Sequence, residues 1–228
     1  MLTNQTLALF KQKQPLFICI FSVLIFQLTL TFTVFYSLKD EENPLLNKLI
    51  KEYPFLKKNP ITSFFLIPLL ISCFLLGFIS FIPSFPIKFF LFSIFAFFEG
   101  FLLTLARSTV SNETIMFGLL STISIFGLML FFSAILVNLN FDMLKYGLYL
   151  FFGMLILIII SLINVFFIQD DIVSNFIKFF FIILLSIYII YDTYLILYRP
   201  TTFNNDCISG AISYYLDFIN IFIRLADE

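Results

Sequence analysis

Three carboxylates lie inside strongly apolar runs of this 228-residue chain: Glu99, Asp192 and Asp217. An ionisable side chain in the middle of a membrane span costs roughly 2.5–3.5 kcal/mol on insertion scales, so each is a candidate for ion or proton passage. The bland alternative is a protonated carboxyl that hydrogen-bonds a neighbouring helix as structural glue. The lone Glu99 fits either description. Asp192, in SIYIIYDTYLIL (186–197), and Asp217, in ISYYLDFINIFIR (212–224), differ because they come as a pair. If their runs form an antiparallel hairpin turning at 199–207, they lie roughly 9 and 15 Å from the turn at about 1.5 Å per residue, and can meet at similar depth. Two carboxyls in contact in low dielectric cannot both ionise cheaply, so such a pair titrates as a unit and suits a pH sensor or gate.

The polar residues around the pair support the same chemistry. Ser213, Asp217, Asn220 and Arg224 recur at i, i+4, i+7 and i+11, one stripe of a helix, with Ile212, Leu216, Ile219 and Ile223 forming an adjacent apolar face. On the preceding run, Tyr188, Asp192 and Arg199 share helical spacing. A polar stripe at membrane depth lines either a water-filled cavity or a buried polar network. Asp192 and Asp217 with Ser213, Asn220, tyrosine hydroxyls and water offer oxygen ligands for a weak transit site for a cation rather than a cage.

The elements that must position these groups are membrane helices. Hydrophobic residues make up 61% of the chain and charged residues 12%, against roughly 45–50% and 25% in a soluble domain. Runs of about 20 apolar residues, enough to cross a bilayer as helix, recur at 15–38, 61–83, 89–106, 115–137, 146–168 and 179–198. A further run at 208–226 is long enough but carries Ser209, Ser213, Asp217, Asn220 and Arg224. It reads as a buried span, a re-entrant helix or a surface helix, and its polar face is short of lysine for the last role. The first run exceeds the roughly 7–15-residue core of a secretion signal and has no small-residue cleavage site, so it reads as a retained span. The expected organisation is an N-terminal tail at 1–14 and one transmembrane domain over 15–228, with the longest connection at 39–60.

Composition also excludes several functions. The chain has no histidine, which removes the usual zinc ligand, general base and switch near neutral pH. Its 13 basic and 14 acidic residues include no basic helix face, so nucleic acid is not an expected partner. Cys19, Cys73 and Cys207 are far apart in sequence and read as small apolar fillers, without a disulfide framework or metal-ligand spacing. No cofactor is expected.

The run IYIIYDTYLIL, followed after a short loop by YYLDFINIFIRLA, closely resembles the paired C-terminal signature of the Bax inhibitor/lifeguard family of Bax-inhibitor-motif membrane proteins. FSVLIFQLTLTFTVFYSL resembles the family's first helix, with Gln27, Leu28 and Thr31 at matching places, FPIKFFLFSIFAFFEGFLLT its third-helix region including Glu99, and FDMLKYGLYLFFGMLILIIISLI its fifth. The resemblance implies an all-α membrane protein of about seven transmembrane helices, with the last helix central and semi-polar. It further implies a cytosolic N-terminus, residence in endoplasmic reticulum or Golgi membrane, a pH-sensitive calcium leak, and suppression of cell death. Asp192 and Asp217 take the places of the family's proton-sensitive pair. Some members set a basic residue of the second helix against that pair, but 61–83 holds no Lys or Arg here. Arg107 or Arg199 is then the candidate basic partner.

Two other classes remain in view. A non-conducting adaptor that binds membrane cell-death proteins or channels would have the same kind of sequence. An intramembrane aspartyl protease also needs two aspartates, one as base and one as acid, and Tyr191-Asp192 matches the YD of presenilin-like enzymes. Those enzymes carry glycines before the second aspartate, whereas Asp217 follows Tyr214, Tyr215 and Leu216, and no Pro-Ala-Leu comes after it. The expected protein is not an enzyme.

Overall fold

A computed structural model of the chain describes residues 4–39, 74–79, 81–107, 110–198 and 206–226. The expected span at 61–83 and the 39–60 connection fall largely or wholly outside these residues; within that span, 74–79 are helical. The described chain is helical, with α1 (Asn4–Lys39), α2 (Phe85–Arg107), α3 (Asn112–Asn138), α4 (Gly147–Ile163), α5 (Asp171–Tyr198) and α6 (Cys207–Leu225). Among the described residues, five helices are long and apolar enough to cross a membrane: Ala8–Leu38, Phe85–Thr104, Asn112–Asn138, Met143–Ile163 and Asp171–Tyr198. Apolar side chains such as Phe90, Phe117, Tyr149 and Phe176 stand outward on them. Surfaces of that kind face lipid.

Helix boundaries follow capping chemistry more closely than hydropathy. α5 starts at Asp171, ahead of the apolar run at 179, because the Asp170 carboxylate accepts from the Ile172 and Val173 N–H groups at 2.7 and 3.4 Å. These are the orphan donors of a first turn. α4 passes into a π turn over Asn164–Ile168 and stops at Gln169, which is left-handed at φ 53°. The Asn164 side chain closes that corner by bonding both the N–H and the carbonyl of Asp170 at 3.3 Å. α1 begins at Asn4 and continues through Pro15, so most of the expected tail at 1–14 is helix.

Contacts divide the chain into two compact units, one of Met1–Ile20 with Ser111–Glu228 and one of Phe21–Val110. In the first, α6 packs with α3 and α5 and buries eleven of its nineteen residues. That burial removes the surface-helix reading of 208–226. Gly118 of α3 lets the end of α6 come close, since a methyl there would meet the backbone nitrogen of Ala226 at 3.1 Å. Leu9, Phe10 and Phe17 of α1 pack on a core of Val137, Met143, Leu150, Ile190, Tyr194 and Leu197.

In the second unit, the later part of α1 packs on α2 through polar groups that match across the two helices. Gln27 Nε2 donates to Ser93 Oγ at 3.0 Å, and the Thr31 hydroxyl is shared between the carbonyls of Gln27 and Ala96, each at 3.0 Å. Gly100 sits where the backbones approach, because a methyl there would lie 2.5 Å from the Thr31 carbonyl oxygen. Close backbone contact at small residues is how helices associate in lipid, where no hydrophobic drive separates helix from acyl chain.

This pair of helices yields a graded prediction. Gly100→Ala is expected to force α1 and α2 apart at a cost of about 1–3 kcal/mol, the range for overpacking. Thr31→Val is expected to cost only about 0.6 kcal/mol, as a shared interhelical hydrogen bond does in a membrane. Thermal unfolding in detergent micelles reads both, and a larger loss in Thr31→Val than in Gly100→Ala would contradict the packing account.

Candidate functional site

α5 and α6 run antiparallel, and their register is set by four contacts along their length. Ile196 lies beside Gly210. Tyr214 and Thr193 share a hydroxyl hydrogen bond at 2.7 Å. Asp192 accepts from the Ser213 hydroxyl. The Arg224 guanidinium lies 3.6 Å above the centre of the Phe181 ring. Over the length of the pair, positions nearer the N-terminus of α5 thus face positions nearer the C-terminus of α6, from Ile196 beside Gly210 to Phe181 beneath Arg224.

This register brings Asp192 and Asp217 together and also refines their geometry. Asp192 is level with Ser213, so Asp217 stands one turn further along α6, about 6 Å in depth at 1.5 Å per residue, near the level of Tyr188. The two carboxyls interact electrostatically, and both act on the hydroxyls of Tyr188 and Tyr214. Each aspartate is buried, with Asp192 8% and Asp217 7% exposed. Asp217 Oδ2 has no hydrogen-bond partner among the described residues. Buried carboxylate oxygens without a partner are costly, so a proton or a cation at this point would be favoured.

Thr193 and Tyr214 brace the pair. The Thr193 hydroxyl hydrogen goes to the Ile189 carbonyl at 2.8 Å, which leaves its oxygen to accept from Tyr214. The Tyr214 ring meets Phe126 of α3 edge to face at 5.4 Å, and Phe126 meets Phe218 in the same way at 5.9 Å. Three helices therefore hold the wall beside the carboxylates. Reading the sequence did not single out Thr193 or the Tyr214 hydroxyl, although polar groups directly beside Asp192 and three residues before Asp217 were a usable signal.

The other candidates scatter. Ser213 joins the pair directly, and Tyr188 lies within the pair's field with its ring edge-on to Tyr191 at 6.2 Å. Asn220 is exposed and donates back to the Leu216 carbonyl at 2.7 Å, so it faces away from the buried pair. Arg224 is half-buried on the Phe181 ring, two turns from Asp217. Glu99 is half-buried on α2, in the second unit. Arg107 closes α2 with its side chain outside the description, and Arg199 lies outside the described residues. Among the described residues, no three of His, Cys, Asp or Glu gather as a metal site. The reading of Cys19 and Cys207 as apolar fillers is corrected, because they form a disulfide with Cα atoms 5.8 Å apart. Their separation of 188 positions in sequence hid the pairing from any spacing rule.

Over 109 residues the chain is 36% identical to an uncharacterized protein of Campylobacter jejuni, a match covering 46% of this chain and 42% of that relative. The chain thus aligns with less than half of that protein's length. The model of the family described as inhibitor of apoptosis-promoting Bax1 matches residues 14–227, from the second turn of α1's apolar run to beyond the end of α6. A match of that extent covers both aspartyl helices and nearly everything around them, and the chain belongs to the Bax inhibitor family.

Proposed function

We propose that the protein is a pH-sensitive cation leak pathway, conducting calcium, in which Asp192 and Asp217 form the gate. The observation that carries this reading is the placement of two buried, mutually interacting carboxyls on facing turns of α5 and α6. In the closed state one proton shared by the pair holds the helices together. Changing pH alters that proton's occupancy and with it the fit of α5 against α6. When the pair opens, its carboxylates with the Ser213 hydroxyl and water form a passing oxygen site, which suits a hard cation in transit. Asp217 Oδ2, without a hydrogen-bond partner among the described residues, would supply one oxygen of that site.

Family membership supports the wider setting of this proposal. The leak would lie in an intracellular membrane, endoplasmic reticulum or Golgi, and lowering the calcium store would restrain cell death. Contact with membrane cell-death proteins or channels belongs to the same proposal. The pair is assigned no catalytic step and the protein no enzymatic activity. Its two carboxyls are offset by a turn and braced by tyrosine and threonine.

Calcium efflux from liposomes holding the purified protein tests the reading across mildly acidic to mildly alkaline pH. Wild type is expected to give a protein-dependent flux that varies with pH. Asp192→Asn, Asp217→Asn and the double variant are expected to flatten the profile, the double variant bringing the ratio between its extremes close to one. Folded wild type that passes no calcium at any pH would end the channel reading and leave an adaptor whose aspartates serve only as a structural pair.

A further inference from the structure

The Cys19–Cys207 disulfide joins α1 to the first residue of α6, and its two ends are not equally accessible. Cys207 is buried, at 6% exposure, while Cys19 is half-buried on α1. Both cysteines line a cavity of about 450 Å³ together with Gln12, Lys13, Pro15 and Leu16. Gln12 and Pro15 are exposed and Lys13 half-buried, so the disulfide shares the cavity's lining with side chains that reach its outside. A bond that served only as a staple would gain nothing from a cavity of this size beside it. The cavity has ample room for a small molecule, since one water occupies about 30 Å³ of liquid.

We propose that Cys19–Cys207 is a thiol–disulfide exchange site, addressed through this cavity by a small-molecule thiol. The thiolate attacks Cys19 Sγ, the more accessible sulfur. A new bond forms between the incoming sulfur and Cys19, the Cys19–Cys207 bond breaks, and Cys207 leaves as a thiolate that takes up a proton. A second thiol attacks the incoming sulfur of the mixed disulfide, so that the bond to Cys19 breaks, Cys19 leaves as a thiolate that takes up a proton, and the two small thiols depart as their own disulfide. The protein gains two electrons and two protons, and the two small thiols lose them.

Cys207 is the first residue of α6, and the neighbouring Asp206 carboxylate caps that turn, with Oδ1 accepting from Ile208 N–H at 3.0 Å and Oδ2 from the Ser209 hydroxyl at 2.8 Å. Reduction leaves the start of α1 held by non-covalent contacts, among them those of Leu9, Phe10 and Phe17 and of Ile20 beside Gly210, and frees the first turn of α6 from its covalent anchor. Asp217 lies ten residues further along the same helix. The exchange site nevertheless stands independently of any role for the aspartates.

The test uses the full chain in nanodiscs, treated with 2-mercaptoethanol, alkylated with iodoacetamide and read by intact mass and peptide mapping. Folded wild type is expected to gain two labels on reduction, at Cys19 and Cys207, with helix content retained by circular dichroism. Leu16→Trp, which fills the cavity, is expected to slow reduction of the folded protein at least about tenfold while leaving the rate in denaturant unchanged. Gln12→Trp in the exposed part of the lining provides a second obstruction should Leu16→Trp misfold. Labelling of both cysteines without reductant, reduction only after unfolding, or wild-type rates in the folded obstructed variants would each overturn the proposal.

Discussion

The antiparallel seating of α5 against α6 is the constraint on which the site depends. Apolar helices in lipid lack a strong preference for one register, because sliding exchanges one hydrocarbon contact for another. Here the register is fixed by polar and cationic contacts at separate heights: Tyr214 with Thr193, Ser213 with Asp192, and Arg224 over Phe181. A stacked guanidinium contributes about 0.5–2 kcal/mol depending on its desolvation. A slip of one helical turn would break all of these contacts at once and leave two carboxylates buried without their neighbours. The cost of burying the aspartates thus itself enforces the arrangement that uses them.

Hydroxyl groups and carboxylates meet the membrane's demand for hydrogen bonding differently. Thr29, Thr31, Ser93, Thr104, Thr122, Ser124, Ser186 and Thr193 each donate to the carbonyl four residues back on their own helix. Their polarity is satisfied locally and makes little demand on a neighbour. A carboxylate is an acceptor only, and the N–H groups along a helix interior are already taken. Asp192 therefore had to find Ser213 on another helix, and Asp217 Oδ2 is left without a hydrogen-bond partner among the described residues. This difference separates the aspartates from the many other polar residues in these helices as candidates for function.

The parts of this arrangement legible in the sequence were those carried by local pattern. The apolar runs located α2 to α5, and the spacing of Ser213, Asp217 and Arg224 located one face of α6. The depth offset between Asp192 and Asp217 was not legible, because a hairpin count cannot supply the register that Tyr214 and Thr193 impose. Hydropathy missed the true starts of α1 and α5, since Gln12 and Asp171 are polar residues that helices readily hold when capped or near an aqueous edge. The Cys19–Cys207 bond was beyond reach, as pairing over that distance depends on the packing of α1 against α6 and on no motif.

α6 is fastened at both ends and comparatively open to rearrangement between them. Its first residue is bonded covalently to α1, and its last turns are held by the Arg224 stack and the close approach of Ala226 to Gly118. Between these anchors lie Ser213 and Asp217, whose contacts with α5 depend on hydrogen bonds and on how the carboxyl pair is protonated. A helix held in this way cannot tilt freely as a rod when its middle contacts change. Tyr214 and Phe218, on either side of Asp217, pack on Phe126 of α3, so any shift of the turn that carries Asp217 must move that wall with it. Proton occupancy would then act on the middle of α6, and the redox state of Cys19 and Cys207 on one of its fixed ends, so that two different chemistries converge on the same helix.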